Sequence, residues 1–199
     1  MTTPPNPVLL KLAIEGEEPQ ASMALAAQQG GWVYQQTLPA DAENGLEIIW
    51  LHIDAPVELH FIQDDIAGQA YLALVGPAEA VTAAEVELRA SLPLADLAEV
   101  LGRTRLTPRS SSGSYLSDLP GLIAVLGPSD YDAAVMHALA DLLGAEDANV
   151  RLRSIVAIAR LGWPELRPLV TATANADEQD FVRWRAADLL LAYDRVAED

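Results

Sequence analysis

The sequence predicts an α+β chain: a small antiparallel sheet with helices at the N-terminal end, then a short α-helical repeat. Three observations carry this. Residues 46–75 hold apolar runs of strand length, broken at Asp54-Ala55-Pro56 and at Asp64–Gly68. Residues 118–199 hold helix-period stripes separated by Gly and Pro stops. Near the C-terminus, the segments Asn149–Leu161 and Phe181–Tyr193 match in residue type when one slides over the other by about 32 residues. The expected divisions are an α+β domain over 1–102, a Ser/Arg-rich linker over 103–117 and a helical repeat over 118–199.

The elements follow in order. Asn6-Pro7 reads as a helix start, with a cap and a proline at the first helical position. Val8, Leu9, Leu12 and Ala13 then share one side, and Gly16 ends the helix. Glu18-Pro19 restarts it, and Met23, Ala24 and Ala27 lead to the Gly30-Gly31 stop, which makes a helical hairpin. Strands are expected over 32–37, 46–53, 57–63 and 69–75, in a three- or four-stranded meander. Over 57–63 the alternation puts Val57, Leu59 and Phe61 on one face and Glu58 and His60 on the other. A helix over 77–91, with the stripe Val81, Ala84 and Leu88, covers the sheet. A shorter helix is expected over 94–101.

Residues 103–117 have no apolar period, and their arginines Arg103, Arg105 and Arg109 read as a solvated basic tether or an anion grip. Helices follow over 118–126, from a cap at Ser129 or Asp130 to Leu143, over 148–161, from Pro164 to about 174, and from Asp180 to about 195. In the matched segments Val150 falls on Val182, Arg151 on Arg183, Arg153 on Arg185, Ser154 on Ala186, and Ala157 and Ile158 on Leu189 and Leu190. That period, with a valine-arginine pair opening each helix, resembles HEAT repeats of the phycobilisome-lyase-like type, over roughly the last third of the chain. The resemblance implies stacked helix pairs whose arginines pair with acidic groups of the neighbouring layer. Asp147, Asp177 and Asp180 stand at the right turns for that. The alternative is a row of arginines, Arg151 and Arg183 among them, that grips phosphates or carboxylates of a partner. A terminal repeat normally presents a polar outer face. Here Trp184 and Leu191 lie opposite the buried stripe, flanked by Asp188 and Arg195. Either another part of the chain covers them or they anchor a partner, with self-association through the last helix as one form of it.

Composition sets the function classes. Hydrophobic residues are 51% of 199, enough for a core, and cysteine is absent, which removes disulfide scaffolds, thiol nucleophiles and thiolate metal sites. The formal charge is −17. Residues 1–102 hold 2 basic and 15 acidic side chains, and residues 148–199 hold 7 and 8. That balance repels nucleic acid and anionic membranes and does not suit the basic cradle of HEAT-type DNA glycosylases. No apolar run has membrane-span length and the N-terminus does not read as a signal peptide, so a cytoplasmic location is expected. His52, His60 and His137 lack metal-ligand spacing, and Asp64-Asp65 reads as turn chemistry. No phosphate loop, nucleophile elbow or zinc-protease motif occurs. The expectation is a non-enzymatic adaptor, scaffold or assembly factor that binds another protein, with no cofactor and no metal, through Trp184, Leu191, Arg195, Arg151 and Arg183. The two alternatives are a bilin lyase or lyase-associated factor, which the resemblance implies, and an acidic immunity or inhibitor protein that binds a basic target.

Overall fold

The computed structural model describes residues 7–41, 45–106 and 114–198. The fold is α+β, and the chain divides into two units, 1–96 and 97–199.

The first unit is a six-stranded antiparallel sheet with two helices. Its elements are β1 (Val8–Ile14), α1 (Pro19–Gln29), β2 (Trp32–Leu38), β3 (Leu46–His52), β4 (Glu58–Asp64), β5 (Gln69–Gly76), α2 (Ala78–Ser91) and β6 (Leu94–Ala95). The strand order is β2-β3-β4-β5-β1-β6. The core lies between one sheet face and the helices. Leu12, Trp50, Leu59, Phe61, Leu72 and Leu74 meet Met23, Val81, Ala84 and Leu88, all of them buried. The Val81, Ala84 and Leu88 stripe faces inward as its spacing requires.

Two expectations are corrected here. The segment 8–14 is a strand, not the first helix of a hairpin. Leu10, Leu12 and Ile14 point to the core, and Ala13 on the opposite face is also fully buried. A run that is apolar on both faces fits the helical period as well as the strand period, so periodicity cannot choose. Pairing chooses: β1 sits inside the sheet, matched to β5 from Val8↔Gly76 to Ala13↔Tyr71, with β6 on its other side. This insertion is also why the sheet has six strands rather than a three- or four-stranded meander. The second correction is the helix expected over 94–101. Leu94 and Ala95 instead pair with Ile14 and Ala13, and the Glu15 N–H donates to the Pro93 carbonyl. Arg89 fixes that corner. It donates from Nε to Glu85 (2.9 Å), from Nη1 to the Leu94 carbonyl (3.0 Å) and from Nη2 to Asp96 (3.1 Å).

The sheet edges differ. β6 is two buried residues long, whereas β2 is seven residues with a register shift between Tyr34 and Gln36. Shortness and a bulge are both ways of blunting an edge against unwanted pairing.

The second unit is helical: α3 (Leu97–Leu106), α4 (Ser114–Leu126), α5 (Ala133–Leu143), α6 (Ala148–Leu161), a 3-10 turn (Pro164–Leu166), α7 (Arg167–Ala176) and α8 (Asp180–Glu198). The expected linker is therefore shorter: 103–106 form the last turn of α3 and 114–117 the first turn of α4. Thr104 is buried there and its hydroxyl donates to the Leu101 carbonyl, which ties the polar run into the helix. Arg109 and the other residues of 107–113 lie outside the described residues. α4 is strongly apolar. Leu116, Leu119, Leu122, Ile123 and Val125 are all buried, because α3, α5 and α6 pack around it. The cap of α5 is Asp132, not Ser129 or Asp130. Asp132 has the extended backbone of a cap and accepts from the N–H groups of Ala134 (2.7 Å) and Val135 (3.0 Å). Asp147 caps α6 through the Asn149 N–H (2.8 Å), and Gly162 ends it at φ 68°, a left-handed conformation that only glycine adopts cheaply.

α6 packs on α4 and on α8, and α7 packs on α8. Two pairs of matched positions are alike in burial, Val150 with Val182 and Ser154 with Ala186, all fully buried; the buried Arg151, Ala157 and Ile158 instead fall on the half-buried Arg183, Leu189 and Leu190. Among the described residues no helix is long and apolar enough to cross a membrane.

Candidate functional site

α6 opens on Arg151, which the stripe Val150, Ser154, Ala157, Ile158 carries into the interior. Its guanidinium forms a bidentate pair with Asp177, Nε to Oδ2 at 2.7 Å and Nη2 to Oδ1 at 2.9 Å. Nη1 donates to the carbonyls of Ala145 and Glu146, each at 2.9 Å. Four of its five donors are thus used within the chain. The bond to Arg151 holds the Asp177 carboxyl below its ordinary value, helped by the Gln179 N–H and opposed by burial. The same bond holds Arg151 above its own ordinary value. Arg183 repeats one contact: it donates to the Asp177 carbonyl, as Arg151 does to Ala145, but its carboxylate partner is Asp180 on its own first turn. Each arginine reaches back to the residue six before it.

Of the residues expected to meet a partner, Arg151 is 8% exposed and turned inward, and Arg183 is half-buried on its own turn. Arg153 is exposed beside Asp118 (3.6 Å) and Ser117, and Arg185 is exposed. Trp184 is 68% exposed and Leu191 56%, with Arg195 exposed on the same helix. The expectation had not included Phe181, which is 42% exposed. The run 181, 184, 188, 191, 195 steps by three and four, the spacing of one helix face, and that was the available signal. This face of α8 combines three large apolar side chains with Asp188 and Arg195.

The opposite end of α6 is closed by another link. Trp163 is buried and donates from its indole N–H to the Ser129 carbonyl (3.0 Å). Its own carbonyl accepts from the Tyr193 hydroxyl (3.0 Å), and Tyr131 meets its ring edge-on at 5.8 Å. Burial pushes the Tyr193 hydroxyl above its ordinary value.

An open groove of about 630 Å³ lies between the C-terminal parts of α5 and α7. The half-buried Ala140, Leu143 and Leu169 line it, as do Arg151 with Asp177 and the exposed Glu146 and Glu178. The two glutamates occupy matched positions, each five residues before its arginine, in the turns that open α6 and α8. The repeated pattern Glu-x-x-x-Val-Arg was visible in the sequence, but the groove it frames was not.

In the first unit, His52 and His60 lie on neighbouring strands as expected. The ring of His60 sits between Glu47 (2.6 Å) and Glu58 (3.4 Å), and His52 stacks edge-on against Trp32 and faces Glu87 (3.6 Å). Asp64 is buried and accepts from the N–H groups of Ile66 (3.1 Å) and Ala67 (2.9 Å), which is turn chemistry. His137 is exposed on α5. Among the described residues no group of three or more His, Asp or Glu side chains is placed to hold a metal ion. No family model, no curated protein and no solved structure matches the chain.

Proposed function

We propose that the chain is a non-enzymatic, cytoplasmic protein-interaction module whose helical unit works as a short HEAT-like repeat and binds another protein. One observation carries the reading: the outward face of α8, where Phe181, Trp184 and Leu191 stand exposed beside Arg195. Tryptophan and arginine are the side chains most often found at energetic centres of interfaces, and a contiguous apolar face marks a docking surface. Asp132 and Asp147 cap helices and Asp177 holds Arg151, so these carboxylates are engaged in the architecture.

The test is a paired capture from the source cells, using wild type and the double variant Trp184→Ala with Leu191→Ala. Both side chains are largely exposed, so the variant keeps its melting temperature. The expected result is loss of the captured protein, or, where the partner is a second copy, a shift from dimer to monomer in sedimentation velocity. Unchanged capture and sedimentation for a well-folded variant would falsify the assignment.

A further inference from the structure

The groove between α5 and α7 has a chemistry of its own, separate from the α8 face. Its lining is apolar along Ala140, Leu143 and Leu169 and acidic at Glu146 and Glu178. The cation in its lining, Arg151, is already neutralised by Asp177 at 2.7 and 2.9 Å. Both α5 and α7 end at this groove, so their negative macrodipole ends add to the two glutamates. The walls are tied together by Arg151, which holds the turn after α5 through the Ala145 and Glu146 carbonyls and the turn after α7 through Asp177. A groove whose walls are already held in place needs little ordering to receive a ligand. The glutamates recur once per layer, and packed helix layers are separated by about 10 Å. On a helix, cations two turns apart are also about 10 Å apart.

We propose that this groove is a second docking site, which takes a lysine- or arginine-bearing amphipathic helix of another protein. Apolar side chains of that helix sit on Leu143 and Leu169, and its cations meet Glu146 and Glu178. A second copy of this chain is the wrong occupant on charge grounds, since it brings a net −17 of its own.

The probe is a labelled amphipathic peptide of lysine and leucine, titrated into the full chain and followed by fluorescence anisotropy. Binding is expected at low salt, weakening as salt rises. Glu146→Lys with Glu178→Lys is expected to weaken it about tenfold or more at unchanged melting temperature, both side chains being exposed. The control Glu17→Lys with Asp54→Lys changes the net charge equally on exposed sites of the first unit and is expected to weaken binding far less. Trp184→Ala with Leu191→Ala is expected to leave it intact, so failure of the α8 assignment and failure of this one are separately visible. Equal loss in the control pair, loss with the α8 variant, or full binding after the glutamate reversal each overturns the proposal, as does the absence of binding to wild type.

Discussion

Arg151 joins three stretches of chain with one guanidinium: the turn after α5, the start of α6 and the turn after α7. A buried ion pair is costly to break from one side, because the partner left behind stays desolvated and unpaired. Asp177→Ala and Arg151→Ala are each expected to cost about 3 kcal/mol in urea unfolding, while the double change to apolar residues costs less than the two added together. The pH dependence has a definite sign. The folded Asp177 carboxyl titrates below its unfolded counterpart, so its contribution is complete above about pH 4 and is lost as pH falls through the folded value. Asp177→Asn therefore differs most from wild type near neutrality, and the gap closes in acid. A gap that stays constant down to the acid transition would show that the carboxylate's charge is not what stabilises the turn. The resemblance implied that these arginines pair with acidic groups of the neighbouring layer; Arg151 meets Asp177 in that way, whereas Arg183 meets Asp180 on its own helix and Asp147 caps α6. That Arg151 also takes two carbonyls was not legible, because backbone acceptors carry no residue-type signature.

Between elements, the end of α4 packs close against α6 in the helical unit. A Cβ on Gly127 would stand 2.6 Å from Leu161 Cδ2 and 2.8 Å from the Ile123 carbonyl oxygen. The leucine tip can swing away, but the carbonyl belongs to the helix backbone and cannot. Gly127→Ala is expected to lose about 1–3 kcal/mol by straining the C-terminal turn of α4, to which the Ile123 carbonyl belongs. Gly162→Ala is the informative comparison, since nothing lies within 4 Å of its Cβ and only the left-handed backbone is penalised. A calorimetric scan in which Gly127→Ala melts with wild type would mean that the end of α4 yields to the added methyl group without cost. The helices from α4 onward were readable because caps, glycine stops and stripes agree over ten or more residues. The strand β1 was not, because six apolar residues and one lysine behind an Asn-Pro pair satisfy the signals of both helix and strand. Its neighbours in the sheet, β5 and β6, are about 60 to 80 residues away in sequence, and no local pattern records such a pairing.

Over the whole molecule, composition spoke to classes of partner and topology spoke to very little. The acidic surplus sits in the first 102 residues, where one of the two cations, Arg89, is held by Glu85 and Asp96. That surplus repels polyanionic surfaces electrostatically without saying what is bound. The helical unit is different, because its parts recur. The arginine of α8 grips a carbonyl six residues back as the arginine of α6 does, although Arg151 takes its carboxylate from Asp177 and Arg183 from Asp180. On the proposed repeat reading, the block 148–179 is one unit of the array. Splicing a second copy of it in tandem ahead of Asp180 is expected to lengthen the array by one layer, raising the helical circular-dichroism signal in proportion and leaving the midpoint of melting no lower than before. An insoluble or molten product would mean that the recurrence is ornamental, whereas a folded one would turn this chain into a ruler whose length can be chosen.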